Sequence, residues 1–150
     1  AVYLTAQGWL RGWDRHGNVH PACWQEDLRL LPVADATVIS IEDVANEEER
    51  IRAMAAESEI LVVTEGARGA RVCWQGAWRQ IPAPNVEEID ATGAGDIFAA
   101  AFFIQLSQSR NPWEAAVFAN VMAAQSVTAP GLQGIPTKRE LETTKVHSWD

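Results

Sequence analysis

Short apolar runs, separated by amphipathic segments, set the pattern of the first half of the chain. Three of them are rich in β-branched residues and predict buried strands: VYLTA at residues 2–6, ATVIS at 36–40 and ILVVT at 60–64. The segments between them have helical spacing. This alternation is typical of βαβ units, so the pattern predicts an α/β fold with a mostly parallel sheet flanked by helices.

Two helices are predicted between these strands. Residues Pro21 to Leu31 place Trp24, Leu28 and Leu31 at helical spacing. The segment 47–58, EEERIRAMAAES, has early glutamates that suit a helix start, and we expect Asn46 to cap it.

Two hairpins are predicted where apolar and polar positions alternate. Residues 11–21 turn at His16-Gly17-Asn18, and residues 70–84 turn at Gln75-Gly76. An extended approach, IPAPNVEEID, then leads to an apolar helix, IFAAAFFIQL, at residues 97–106. Asn111-Pro112 starts another helix, and the last dozen residues predict a short helix and a tail.

Length and charge limit the classes of protein to consider. A chain of 150 residues fits a single α/β domain over residues 1–150 with a core of its own. The net charge of −8, without a Lys/Arg-rich run, argues against nucleic acid or a basic membrane surface as partners. No apolar stretch reaches the length of a membrane span, and the first residues lack a signal-peptide pattern, so the expected location is the cytoplasm.

Cysteine and histidine give little sign of a metal site. Cys23 and Cys73 are far apart and outside any CxxC pattern, so we expect both to be reduced. His16 and His20 with Cys23 match no closed zinc pattern, because Gly17 and Pro21 interrupt the helix that would align the histidines.

The stretch DATGAGDIF, at residues 90–98, holds the main candidate chemistry. Gly93 and Gly95 allow several amides to turn toward one anion, and the helix that follows adds free N–H groups and a positive dipole end. Asp96 has two interpretations. It is a helix cap, or it is a general base held beside a phosphate site.

A second glycine-rich segment, TEGARG at residues 64–69, follows a predicted strand directly. Ligands of parallel sheets gather at the carboxyl ends of strands, so Thr64, Gly66 and Gly69 are candidates for ligand contact. A plain tight turn is the alternative.

Residues 60–137 resemble the carboxyl-terminal half of the ribokinase-like, or PfkB, carbohydrate kinases. DATGAGD with its helix is similar to the D-T-x-G-A-G-D-x-F motif of that family. VVTEGARGA and FANVMAAQSVTAPG match two further segments in the same order. A dinucleotide-binding dehydrogenase is disfavoured, because no third glycine follows Gly95 at the required place.

The resemblance implies a role for each matching residue. Asp96 would deprotonate the acceptor hydroxyl, and Gly93, Ala94 and Gly95 would donate to the transferred phosphoryl group. Thr64, Gly66 and Gly69 would line the nucleotide, and Asn120 would lie near the adenine or ribose. A polar position on an exposed helix face is the alternative for Asn120.

The resemblance also implies ATP with Mg²⁺, and K⁺ as an optional monovalent cation. Asp90 and Thr92, with carbonyls near Val127 to Gly131, resemble the monovalent-cation loop of many members. The family often has Asn-x-x-Glu near Mg²⁺, where this chain has Ser40-Ile-Glu-Asp43. We expect Ser40 and Asp43, or Glu42, to serve there.

The amino-terminal half of such kinases supplies the lid and most sugar contacts, and nothing before Ala1 provides them. We therefore expect a partial ribokinase-like fold, whose partners are its missing amino-terminal half and a sugar or polyol substrate. A homodimer is a further option for assembly. The alternative function is a non-catalytic nucleotide-binding or regulatory module with the same fold.

Overall fold

The computed structural model describes residues 1–21 and 27–144 of the chain. The described chain divides into two compact units, and its assignment to a single α/β domain stays a prediction. The first unit comprises Ala1–Glu65 with Arg71–Trp78, and the second comprises Gly66–Ala70 with the residues from Arg79 on. Each unit is described by itself below.

Strands and helices alternate along the described residues. The strands are β1 (Tyr3–Thr5), β2 (Arg11–Trp13), β3 (Val19–Pro21), β4 (Ala36–Ser40), β5 (Ile60–Thr64), β6 (Ala70–Trp74) and β7 (Ala77–Ile81). The helices are α1 (Gln7–Leu10), α2 (Glu48–Glu57), α3 (Ala94–Ser109), α4 (Pro112–Ser126) and α5 (Lys138–Thr143). Short 3₁₀ segments span Asp27–Val33, Ile41–Val44, Gly66–Arg68 and Gly131–Gly134.

The main sheet has the strand order β1-β4-β5-β6-β7. Strand β4 pairs in parallel with β1, where Tyr3 faces Ala36, and with β5, where Thr37 faces Leu61. The first four residues of both β4 and β5 are buried, as the continuous apolar runs predicted. All three predicted strands form and pair in parallel, but the prediction that β1 is buried is wrong: it lies at the edge of the sheet, and its residues are half-buried or exposed.

The core of the first unit lies under helix α2. It joins the apolar face of that helix to strands β4, β5 and β6, to the segment after β1 and to the segments on either side of β4. Its members are Ala6, Leu10, Leu31, Ile39, Val44, Ile51, Met54, Leu61, Val63 and Cys73. The thiol of Cys73 is free, and burial raises its pKa. Cys23 lies outside the described residues.

Both predicted hairpins form. Strands β2 and β3 pair antiparallel as a separate two-stranded sheet. Between β6 and β7, Gln75 and Gly76 both have positive φ, at 52° and 76°, which is the backbone that a tight two-residue hairpin turn requires.

The second unit is built on the packing of α3 against α4. The large buried side chains of α3 are Phe98, Phe102 and Leu106. Helix α4 begins with Pro112 at its first position, and the Asn111 side chain accepts from the N–H groups of Trp113 and Glu114. The predicted start of α4 is confirmed.

Two local predictions are wrong. Glu47, not Asn46, is the N-cap of α2. Asn46 follows Ala45 in the left-handed region and donates its N–H to Ile41 at 3.0 Å, so it closes the preceding turn instead. The helix predicted from Pro21 to Leu31 is a 3₁₀ segment from Asp27, with Pro32 inside it, and residues 22–26, including Trp24, lie outside the described residues.

None of the helices in the described ranges combines the length and apolar character that crossing a membrane would need.

Candidate active site

Gly93 ends the DATG turn and forms the N-cap of helix α3. Its φ of 80° lies in the left-handed region, and the helix begins at Ala94 without any side-chain cap. A Cβ atom added at Gly93 or Gly95 would meet nothing within 4 Å. The start of the helix therefore faces open space on the side of both glycines.

Three backbone N–H groups at this helix start have no acceptor among the residues that the structure describes. Ala94 donates to the Ala91 carbonyl at 3.1 Å, whereas no described residue accepts from the N–H of Gly93, Gly95 or Asp96. Unpaired amides at the positive end of a helix dipole are a ready site for an anion. The sequence named Gly93, Ala94 and Gly95 as donors, and the geometry offers Asp96 in place of Ala94.

Asp96 is the third residue of α3, and its side chain is exposed. It does not cap the helix, because Gly93 occupies the N-cap position, so the capping interpretation is wrong. Within the described ranges its carboxylate has no hydrogen-bond or ionic partner, although it lies in the first turn, where the dipole favours negative charge. The carboxylate is free to meet a ligand.

A cavity of about 200 Å³ lies in the second unit. It brings together three regions that the sequence had singled out separately: the turn Gly66–Arg68, the start of α3 and one face of α4. Candidate residues in its lining are Gly66, Gly69, Ala94, Gly95 and Asn120. Gly93, Asp96, Asp90 and Thr92 are not part of the lining.

The two glycines of TEGARG serve different purposes. Gly66 has a φ of 60° and open space around its α-carbon. Gly69 has a φ of 92°, and a Cβ there would lie 2.1 Å from the carbonyl oxygen of Ile81. Close approach of the chain at residues 81–83 therefore requires Gly69, while Gly66 leaves room in the cavity.

Asn120 is buried, with 3% of its surface exposed, so the alternative of an exposed polar helix position is wrong. Its Nδ2 donates to the carbonyl oxygen of Ile81 at 2.8 Å. That bond holds the amide of Asn120 in one orientation at the cavity.

Thr64 belongs to the first unit, at the carboxyl end of β5. Its hydroxyl donates to the carbonyl oxygen of Ile39 at 3.3 Å, across to β4. A contact between Thr64 and a nucleotide stays a prediction.

The loop before the glycine turn is bonded to the segment that follows α4. The N–H groups of Ile89 and Asp90 donate to the Val127 carbonyl at 2.7 and 3.1 Å. Asp90 in turn accepts from the N–H of Thr92 at 2.9 Å and of Gly131 at 2.8 Å. These bonds, led by that of Thr92, lower the pKa of Asp90.

The predicted monovalent-cation residues are thus neighbours. Asp90, Thr92, Val127 and Gly131 share one hydrogen-bonded loop pair, and its oxygen donors are of the type that hard cations prefer. Each Asp90 oxygen already accepts one N–H group, so a cation would use the remaining lone pairs. The cation role stays a prediction.

Ser40 and Asp43, predicted near Mg²⁺, form a capping box in the first unit. Ser40 accepts from the N–H of Glu42, and Asp43 accepts from the N–H of Ser40 at 2.9 Å. Asp43 is buried and also accepts from Arg11. Both of its oxygens therefore have protein donors, and Glu42 beside it is exposed.

Across the described ranges, no group of three His, Cys, Asp or Glu side chains is arranged to hold a metal ion. The ring of His20 lies over Gly12, where an added Cβ would come within 2.6 Å of it. The metal possibility that included Cys23 lies partly outside the described residues.

The sequence did not identify several residues that line the cavity. Ala83, Pro84, Asn85 and Val86 are four of them, and Ala123 and Ala124 on α4 are two more. The extended segment carried no motif. The small residues of α4 indicated close packing, but not a cavity.

Known proteins with similar sequences include sugar kinases. The model of the pfkB family carbohydrate kinases matches residues 25–138. A fructokinase of Escherichia coli is 33% identical over 85% of this chain and 49% of its own length. A ribokinase of Bacillus subtilis is 42% identical over 55% of this chain and 28% of its own length.

Solved structures agree with the sequence matches. The ribokinase of Thermotoga maritima has a TM-score of 0.68 and 26% identity, over 77% of this chain and 43% of its own. The fructokinase of Vibrio cholerae, solved with fructose, ADP and calcium, has a TM-score of 0.67 and 28% identity, over 77% of this chain and 42% of its own.

The chain spans half or less of the length of these relatives. Its fold is a mixed sheet flanked by helices, as the sequence predicted, and it covers a part of the ribokinase fold. On the family match and these likenesses together, the chain belongs to the pfkB family of carbohydrate kinases.

Proposed function

We propose that this chain carries the nucleotide-binding and catalytic part of an ATP-dependent kinase that phosphorylates a hydroxyl of a sugar or related polyol. One observation carries the proposal. Two residues at the start of α3, Ala94 and Gly95, line the same cavity as Gly66, Gly69 and Asn120. Family membership supports the same class of reaction.

Asp96 is the general base of the proposed reaction. Its exposed carboxylate, which has no partner in the described ranges, accepts the proton of the acceptor hydroxyl. The hydroxyl oxygen then bonds to the γ-phosphorus as the bond from phosphorus to the bridging oxygen breaks, and ADP leaves. A module that only binds nucleotide has no use for such a base.

The main chain at the start of α3 stabilises the transferred phosphoryl group. The N–H groups of Gly93, Gly95 and Asp96 are available donors, and the helix dipole adds positive potential. Ala94 would join them only by releasing the Ala91 carbonyl. Asp96 thus contributes twice: its N–H group is one of the donors to the phosphoryl group, and its carboxylate is the base.

ATP enters as its magnesium complex, with Mg²⁺ as part of the substrate. A relative of this fold, a ribokinase II of Escherichia coli at 27% identity and a TM-score of 0.67, was solved with ATP and Mg²⁺. The cavity of the second unit would hold part of the nucleotide. When bound, Mg²⁺ neutralises phosphate charge.

A monovalent cation fits the oxygen-rich loop pair that contains Asp90, Thr92 and Val127. The Vibrio cholerae fructokinase has also been solved, as a double mutant, with fructose, ADP and potassium, at 28% identity and a TM-score of 0.67. K⁺ is the expected ion here, and it would add positive charge beside the turn that leads to Gly93.

The acceptor site requires more protein than this chain. Relatives about twice as long act on sugars, and we infer that an amino-terminal half supplies the lid and most sugar contacts. A homodimer and a cytoplasmic location complete the proposal.

The test is phosphoryl transfer by the full-length gene product to a panel of sugars and polyols. Asp96→Asn should lower kcat by about 10²- to 10⁴-fold, while its unfolding temperature stays within a few degrees of wild type. Glu59→Gln, which removes an exposed carboxylate near β5, is the matched control and should leave kcat unchanged.

Equal transfer by wild type and Asp96→Asn would refute the assignment of the base. ADP binding without transfer to any acceptor would favour the alternative, a nucleotide-binding or regulatory module. A chain that ATP and ADP fail to stabilise against unfolding would contradict the nucleotide site itself.

A further inference from the structure

Two loops of the first unit follow neighbouring parallel strands. Helix α1 and Arg11 come after β1, and the turn Ile41–Val44 comes after β4. Because β1 and β4 run parallel, both loops lie at the carboxyl edge of the sheet. Ligand groups of parallel sheets gather at that edge.

A partly buried ion pair joins these loops. Arg11 Nε and Nη2 each lie 2.6 Å from Oδ1 of Asp43, and Asp43 has only 2% of its side chain exposed. The other carboxylate oxygen, Oδ2, accepts from the N–H of Ser40 at 2.9 Å. Protein donors therefore satisfy both oxygens.

The guanidinium of Arg11 also has a second hydrogen-bond partner besides Asp43. With its amide oxygen turned toward Arg11, Gln7 accepts from Nη1 at 2.8 Å and from Nη2 at 2.9 Å. The side chain of Arg11 is 30% exposed, so the network is only partly shielded from water. Gln7, Arg11, Asp43 and Ser40 form a closed polar network between the two loops.

This network does not fit direct coordination of Mg²⁺. Mg²⁺ requires near-octahedral oxygen ligands at about 2.0–2.1 Å, and a guanidinium on the same carboxylate would oppose it electrostatically. Oδ1 of Asp43 faces two Arg11 nitrogens, and Ser40 Oγ accepts from the N–H of Glu42. The residues predicted to reach Mg²⁺ are therefore bonded to each other and to Arg11.

We propose that Arg11 takes the place of a divalent cation at the end of β4: it neutralises Asp43 and positions the turn Ile41–Val44 without metal. Arg11 is thus a positioning residue, and Mg²⁺ reaches the protein only with a nucleotide. The importance of Arg11 for catalysis rests on the proposed kinase function. The contact between Arg11 and Asp43 does not depend on that function, and it is tested without nucleotide or sugar.

The experiment measures metal binding and thermal unfolding of the protein in the absence of nucleotide. Electron paramagnetic resonance follows free Mn²⁺, a probe for Mg²⁺, in the presence of wild type and of Arg11→Met. Unfolding temperatures are measured with and without excess MgCl₂. Arg15→Met, which removes an exposed charge two residues beyond the end of β2, is the matched control.

The proposal expects wild type and Arg15→Met to bind no stoichiometric Mn²⁺ and to show no change in unfolding temperature with MgCl₂. Arg11→Met should unfold about 6–20 °C lower, because it leaves a buried carboxylate unpaired. MgCl₂ should then recover part of that loss, which removal of a merely structural contact would not permit.

Arg11→Lys provides a second variant in case Arg11→Met does not fold. It keeps the charge without the two-point contact, so it should unfold between wild type and Arg11→Met and show no response to MgCl₂. The proposal is overturned if wild type binds one Mn²⁺ that Asp43→Asn loses. It is also overturned if MgCl₂ fails to stabilise Arg11→Met, or stabilises Arg11→Lys.

Discussion

Asp90 accepts a hydrogen bond from the backbone of Gly131, 41 positions later in the chain, at 2.8 Å. Its other oxygen accepts from the N–H of Thr92 at 2.9 Å. One carboxylate thereby fixes the start of the DATG turn and the segment after α4. The phosphate-binding turn that we propose rests on this connection.

Acid should weaken the Asp90 connection. The pKa of Asp90 lies below its usual 3.8, chiefly through the N–H of Thr92, so the carboxylate stabilises the fold above that pH. The contribution is lost as pH falls through the lowered value. The unfolding temperature of wild type should exceed that of Asp90→Asn at neutral pH, and the two should converge below pH 3.8. A gap that stays constant with pH would contradict the role of the carboxylate.

Gly69 should tolerate substitution far less than Gly66. Gly69→Ala forces a Cβ to 2.1 Å from Ile81 O in a left-handed conformation, and should lower the free energy of unfolding by about 2–5 kcal/mol. Gly66→Ala has the same conformational penalty but open space, so its cost should be about 1–2 kcal/mol. Urea unfolding measures both. Equal losses would show that residues 81–83 do not constrain Gly69.

Gly95→Ala should change the stability of the free protein and its affinity for ADP in opposite directions. Gly95 lies in the first turn of α3 with open space around it and an ordinary φ, so Ala should stabilise the free protein by up to about 1 kcal/mol. The added methyl group enters the cavity and should weaken ADP binding on the order of tenfold.

Gly93→Ala is the matched comparison for Gly95→Ala. Its φ of 80° should make it destabilising by about 1–2 kcal/mol. Calorimetric titration with ADP and thermal unfolding give both quantities. Unchanged ADP binding by Gly95→Ala would place the nucleotide elsewhere.

Asn120 should matter both for the fold and for the cavity. Asn120→Leu keeps the size of the side chain but leaves the Ile81 carbonyl without its donor, which should cost about 1–3 kcal/mol. Stabilisation by ADP should fall in the same variant. Gln125→Leu, on an exposed position of α4, is the control and should change stability by less than about 0.5 kcal/mol.

The sequence predicted those parts of the fold in which a local pattern and the packing agree. The runs around Val38 and Val62 are mostly apolar, as in a parallel sheet whose two faces are covered, and they formed the expected buried strands. Asn111-Pro112 combined a cap with a proline that suits a first turn. At Asn46 two good uses of asparagine competed, and the left-handed turn prevailed over the cap.

Contacts between distant positions were beyond a single sequence. Nothing local relates Arg11 to Asp43, which lie 32 positions apart, or Asn120 to the Ile81 carbonyl. At the glycine turn the motif indicated which backbone N–H groups could bind an anion. It did not indicate that the N–H of Ala94 donates to the Ala91 carbonyl instead. The resemblance named the candidate residues, and the fold decided which of them share a cavity.

The cavity beside the start of α3 is lined largely by residues with small side chains or none. Much of this lining is already glycine or alanine, among them Gly66, Ala67, Ala83, Ala94 and Ala124. Trimming side chains could widen the cavity only at the few larger ones, such as Phe98 and Val86, and elsewhere a larger guest would require the surrounding segments to move apart. Its size is set by the course of the backbone, so substitutions in this wall can shrink the space far more readily than they can enlarge it.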